Sequence, residues 1–287
     1  TPFAPLLSGV VQTLYCGPLQ NMTFHAGAQG FTSPLNPRNN GNFGFYEGFQ
    51  YARGLDGPLQ IGFQGGLTGV QSNFTGGNGV PGNDDRSQLF WTAGLFHRGL
   101  EGGLQWSIVY DGLSDKDFNG VGFSLGQIRT EIGFSTPACN DFGFYGAFNT
   151  GSADILIPTA LQANPGLAAP VAVQATIDTY DIYSVYYRRY WCEGGVARIY
   201  AGATNYGNGV LGVDAYVPLS ERCGMTGAFT CIFDGDETNA LGDVNDSWNV
   251  GVGLEYSFGS MGRQKPVHPF RPTLNVADNG SMMTHIQ

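Results

Sequence analysis

Charge is scarce in this chain: Asp, Glu, Lys and Arg make up 13% of its 287 residues, against about 25% in soluble globular domains. A surface kept in solution by charge is therefore disfavoured. Lysine occurs only as Lys116 and Lys265, and the net charge is −10, which excludes a basic face for nucleic acid. Long apolar runs are missing too. No stretch approaches the roughly 20 residues that a membrane-crossing helix needs, and mean hydropathy is only −0.11. Cysteine is limited to five residues with no C-x-x-C pair, and no strand-turn-helix elbow supports a serine nucleophile. The four histidines, His25, His97, His268 and His285, lack a local catalytic context, so the chain is read as non-enzymatic.

What is abundant is glycine, at 45 residues, and aromatics, at 13%. Membrane-like composition with modest hydropathy fits an all-β protein, a transmembrane antiparallel up-and-down β-barrel, in which lipid-facing residues alternate with polar lumen-facing ones. Period-two segments run over Phe43–Arg53, Leu59–Phe74, Gln88–Arg98, Leu104–Asp111, Gly120–Ser135 and Phe142–Thr150. Five more cover Thr179–Tyr190, Val196–Thr204, Val210–Leu219, Gly224–Phe233 and Trp248–Phe258. Tight turns alternate with long acidic links, and an even strand count requires one more strand before Phe43. Gln20–Phe31 supplies it, giving about twelve strands within residues 19–258. A soluble β-sandwich shares the alternation but has no need of aromatic clusters at strand ends, such as Tyr186-Tyr187-Arg188-Arg189-Tyr190-Trp191. Short turns should face the periplasm and the long loops the outside of a bacterial outer membrane. In Gly120–Ser135 the apolar phase changes between Leu125 and Ile128, and a bulge at Gly126-Gln127 would reconcile the two halves.

Sorting each strand by its apolar face leaves an inward, pore-lining set: Gln60, Gln64, Gln105, Arg129, Glu131, Tyr145, Arg188, Arg198, Asp214 and Glu255. An Arg or Lys facing lipid at mid-membrane costs about 2–4 kcal/mol, which drives such residues inward. They form either a transverse field in an open channel or salt-bridged packing in a filled lumen. Which of Arg188 and Arg189 points inward is open. Asp234, Asp236, Glu237, Asp243 and Asp246 crowd hard oxygen ligands into one loop, a composition suited to calcium although the spacing is not an EF-hand. No other cofactor is implied. Cys139, Cys192 and Cys223 lie on tight turns at one end, with Cys16 before the first strand. In an exported protein this favours disulfides over zinc, with pairing undetermined.

Thr1 in first position is consistent with a removed export leader. Residues 1–18 are apolar but Pro-broken, a periplasmic or lumenal segment, and 259–287 reads as a periplasmic tail, with a lumenal plug as the alternative. The segments Gly44–Gln50, Asp115–Phe123 and Arg271–Gly280 resemble an uncharacterised family of planctomycete outer-membrane proteins. That resemblance implies a Gram-negative-type envelope and a porin-like barrel, and supplies no catalytic or binding residue. The function expected is passive diffusion of small hydrophilic solutes. The alternative is a structural or surface-array protein with an occluded lumen that binds partners through loops and tails. Expected partners are membrane lipid with a lipopolysaccharide-type outer leaflet, and a homo-oligomer or envelope protein.

Overall fold

A computed structural model describes residues 21–32, 41–55, 59–73, 85–99, 102–116, 122–159, 171–191, 194–233, 247–258 and 271–286. Among these residues fifteen strands follow in chain order: β1 Met22–Phe31, β2 Asn42–Gly54, β3 Ile61–Asn73, β4 Asp85–His97, β5 Gly103–Lys116, β6 Gly122–Thr136, β7 Asn140–Asn149, β8 Ala153–Thr159, β9 Val171–Thr179, β10 Ile182–Tyr190, β11 Val196–Thr204, β12 Gly209–Pro218, β13 Cys223–Phe233, β14 Ser247–Ser257 and β15 Thr284–Ile286. Twelve of them close an antiparallel barrel in the order β1-β14-β13-β12-β11-β10-β7-β6-β5-β4-β3-β2. The parity argument is met by β1, which pairs with both β2 and β14 and so leaves no edge. Closure satisfies every ladder between neighbours, the condition for a sheet in lipid.

The barrel is inside out relative to a soluble protein. Phe45, Leu67, Ile108, Phe134, Val185, Val252 and Leu254 are exposed on its outer wall, whereas Gln64, Arg86, Asp111, Arg129, Glu131 and Arg188 are buried within. Such a wall is stable only against lipid, and it places the protein in the bacterial outer membrane. Residues of β10 alternate buried and exposed from Ile182 to Tyr190, so Arg188 enters the lumen and Arg189 reaches outward to Asn140. Half of the aromatic cluster therefore faces in, as Tyr186 and Tyr190, and half faces out, as Tyr187 and Trp191.

Two local expectations are corrected. The pairing of β6 with β5 steps evenly from Lys116↔Gly122 to Gly103↔Ser135, so there is no bulge. Phe123, Leu125, Gln127, Arg129 and Glu131 share one buried face. The phase changes because the inner wall is apolar near the long-loop end, where Phe123 and Leu125 meet an internal apolar cluster. The long link after β7, read as a loop, contains the hairpin β8–β9, and Thr179 ends β9 rather than starting β10. Ile155 and Ile177 of this hairpin are buried in the same cluster as Phe123 and Leu125, so the hairpin folds over the long-loop mouth.

Tyr200 on β11 lies over Gly212 on β12, and a Cβ at Gly212 would fall inside its ring. The Tyr200 hydroxyl is fixed by Thr230 at 2.7 Å, so the ring cannot swing aside without losing that bond. Gly212→Ala is expected to cost about 1–3 kcal/mol by overpacking, read from urea unfolding of the barrel in lipid vesicles.

Candidate functional site

The polar groups inside the barrel meet one another first. Asp111 on β5 accepts from Arg129 Nε at 2.5 Å and Nη2 at 2.9 Å, from Thr92 Oγ1 at 2.5 Å and from Gln127 Nε2 at 3.2 Å. Glu131 takes a bidentate pair from Arg188 at 2.7 and 2.6 Å and a third bond from Arg198 at 2.9 Å. Arg198 also reaches Asp214 at 2.7 Å. Nearer the short turns, Asp141 accepts from Gln105 at 2.7 Å and from the Tyr190 hydroxyl at 2.5 Å. Nearer the long loops, Arg86 pairs with Asp115, which also accepts from Gln88 at 2.8 Å. Apart from Arg198 and Asp214, which are half-buried, these charges are buried, and the set is mutually neutralised, which a low-dielectric interior demands.

The lumen is occupied by the chain's own end. Residues 271–286 climb from the short-turn end to the long-loop end, the lumenal course that stood as the alternative to a periplasmic tail. Arg271 stacks on Tyr216 with its guanidinium carbon 4.6 Å from the ring centroid. The carbonyl of Thr273 accepts from Arg188 at 3.3 Å, that of Leu274 from Gln50 at 3.2 Å and Gln64 at 3.0 Å, and that of Asn275 from Arg129 at 2.8 Å. Higher up, Ala277 donates its N–H to Thr92 Oγ1 at 2.9 Å, and Asn279 and Gln88 exchange amide bonds at 2.9 and 3.0 Å. Gln127 then holds the Ser281 carbonyl at 2.8 Å. At the top, Met283 accepts from Tyr180 N–H at 3.0 Å, and β15 adds to β9 as the third strand of a small sheet.

The physical reason is backbone satisfaction. An irregular segment inside a membrane barrel cannot leave its peptide groups bare. Here Asp278 ties a local turn by accepting from Gly280 and Ser281 N–H, and wall side chains answer the carbonyls of Thr273, Leu274, Asn275 and Ser281. The tail's apolar groups are covered as well: Leu274 packs with Val109, Tyr145 and Tyr200, and Met282 and Ile286 pack with Phe90, Leu113 and Leu125.

Of the ten residues expected to line a pore, Gln64, Gln105, Arg129, Glu131, Tyr145 and Arg188 are buried in the lumen, while Arg198, Asp214 and Glu255 are half-buried there. Gln60 is a correction: it is exposed at the turn before β3 with φ 49°, outside the ladder phase that was used to assign it. Sequence reading missed Arg86, Gln88, Thr92, Asp111, Asp115, Gln127 and Asp141. For Asp111 the signal was available, since it stays in phase with Gln105 within Leu104–Asp111, and Asp115 shares that phase once β5 is continued to Lys116. Ending β5 at Asp111 hid Asp115.

The acidic loop residues Asp234, Asp236, Glu237, Asp243 and Asp246 lie outside the described residues, as do Cys16, Cys192 and residues 1–18. Cys139 and Cys223 are thiols without a disulfide. Among the described residues no His, Cys, Asp and Glu group has metal-site geometry. Gly122-Phe123-Ser124-Leu125-Gly126 does spell G-x-S-x-G, but within the continuous strand β6, where Ser124 points outward rather than standing on an elbow. His25 meets the Thr68 hydroxyl at 2.9 Å, and His97 stacks on Trp106.

Beside the tail a cavity of about 150 Å³ runs along β1, β2 and β12–β14, lined by Gln29, Thr226, Ala228, Asn249, Gly251 and Glu255 among others. The small residues Thr226, Gly227, Ala228 and Gly251 leave room on this wall, and Arg98 and Arg188 also border the cavity.

The fold is similar to that of several outer-membrane proteins. The outer membrane phospholipase dimer of Salmonella typhi with bound calcium shares 12% identity over 82% of this chain and 90% of that one, with a TM-score of 0.44. The β domain of a Bordetella autotransporter shares 15% over 83% and 99%, with a TM-score of 0.45. The translocator domain of the autotransporter NalP from Neisseria meningitidis shares 14% over 88% and 95%, with a TM-score of 0.40. No curated protein matches the sequence. A family profile does match, over residues 21–284, which takes in both the barrel and the segment threaded through it: the chain belongs to the family of unknown function DUF6666.

Proposed function

We propose that this protein is a self-plugged outer-membrane barrel, a structural component of the envelope whose lumen is occluded by residues 271–286 and whose long-loop face meets partners. The observation that carries this reading is the bonding of the tail's carbonyls by lumenal arginines and glutamines from β2, β3, β6 and β10. A stopper held at every level is part of the wall rather than a loose gate. The charged set then serves as packing around the tail instead of as a selectivity field.

The passive-channel reading keeps one support, the cavity of about 150 Å³ beside the tail. That space suits water and the smallest solutes. The two readings separate in a planar bilayer. The full chain is expected to give no porin-sized conductance steps, whereas stable steps of that size from the intact protein would overturn the occluded reading.

A further inference from the structure

The outer wall carries a carboxylate where lipid should be. Glu47 is the sixth residue of the 13-residue strand β2 and is exposed between the inward Tyr46 and Gly48. Outward Phe43 and Phe45 lie on one side of it along the strand and Phe49 on the other, so it sits within the apolar belt rather than at its rim. Among the described residues, every other Asp or Glu with a described side chain lies in the lumen, on a turn, on the plug or on the β8–β9 hairpin. No hydrogen bond or ion pair to the Glu47 carboxylate occurs among them.

The surroundings of Glu47 are equally unlike the rest of the wall. Its cross-strand partners are Ala26 on β1 and Gly69 on β3. A Cβ at Gly69 would meet nothing closer than the Glu47 carbonyl at 3.9 Å, so this is an open notch. One diagonal step away stands Gln71, exposed on the same face and paired with Phe45. A carboxyl acceptor and a carboxamide donor therefore lie side by side in a shallow depression of small residues.

Polar groups in hydrocarbon are costly unless protein covers them, and small residues let two walls approach closely. We propose that this patch is the contact between two copies of the chain. A twofold axis between Glu47 and Gln71 makes the surface self-complementary: the Gln71 carboxamide of each copy donates to the Glu47 carboxyl group of the other, and the bond occurs twice. The complementarity is carried by one patch alone, which favours a second copy over an unrelated partner. Opposite charge is not required, and the two acidic groups need not face each other.

The test measures association of the purified full chain by sedimentation in detergent at several detergent-to-protein ratios, with retention of the heat-modifiable barrel band as the folding control. The wild type is expected to dimerise. Glu47→Leu should weaken the dimer at least about tenfold while leaving the barrel intact, because it makes the wall more lipid-like. Gly69→Leu should do the same by filling the notch, at a position with room for a side chain in the monomer. Val185→Ala, on β10 at the opposite side of the barrel, should change nothing. A wild type that stays monomeric at every ratio, or a dimer unmoved by both Glu47→Leu and Gly69→Leu, overturns the proposal. So does a dimer that responds to Val185→Ala instead.

Discussion

A chain ending after Phe270 is expected to conduct ions where the full chain is silent, with a rise in conductance of roughly tenfold or more. Eight-stranded barrels fill with their own side chains and those of 16 to 18 strands hold open water. A lumen of twelve strands lies between, and here the balance is tipped by the occupant. Removing residues 271–286 withdraws Leu274, Met282, Met283 and Ile286 from the interior. Each such burial is worth about 1.5–3 kcal/mol, so the truncated barrel is also less stable. It should still close, because every barrel ladder, including β1 with β14, forms without the tail. The freed donors, Arg129, Arg188 and the glutamines, then turn to water, while Asp111 and Glu131 keep their arginines. The Val70, Phe90, Leu113 and Phe123 surface under β8–β9 loses its cover, so the hairpin should become open to protease. A truncated barrel that keeps its heat-modifiable band yet carries no current would show that side chains alone close the lumen.

Glu131→Leu is expected to be the most damaging single substitution, at about 3–5 kcal/mol, because removing one member strands a buried charge. Glu131 is the bidentate partner of Arg188 and also holds Arg198. Arg188 would be left with Asp141 at 3.4 Å and the Thr273 carbonyl at 3.3 Å. Arg198 keeps Asp214 at 2.7 Å and so suffers less. Glu131→Gln preserves an acceptor and should cost less than Glu131→Leu. Asp214→Asn, at a half-exposed site, should cost less still. Urea unfolding in lipid vesicles ranks the three, and a loss below about 1 kcal/mol for Glu131→Leu would contradict the lumenal network as a stabilising unit.

The barrel was legible because its physics is periodic. Alternation places Arg129, Glu131 and Gln105 inward, and the parity of turns demands β1 even though its own residues, with Gly27 and Gly30 among them, read weakly. What was not legible is what lies inside. Period two separates the two faces of a strand without telling which is wet, so Phe123 and Leu125 were assigned to lipid and a bulge was inferred to accommodate them. The hairpin signal was present in Val171, Val173, Ala175 and Ile177, but a strand outside the barrel does not alter the turn parity that guided the count. The tail has no periodicity to read at all. Its conformation is dictated by donors more than 80 residues distant, such as Arg188 for Thr273 and Gln64 for Leu274. Gln60 failed for a local reason, a left-handed backbone at a turn that breaks the phase.

The way the wall grips the tail also sets which changes the segment tolerates. Recognition falls mainly on backbone carbonyls, so from Thr273 to Ser281 the lumen measures spacing more than identity. Side chains at positions such as Asn275, whose carbonyl does the bonding, are free to vary within steric limits. A single inserted or deleted residue in that span would slide every later carbonyl and the β15 register away from its fixed partner. Among related chains, length between the last barrel strand's exit and β15 should therefore drift only before Arg271, and the stretch inside the barrel should behave as a fixed-length ruler.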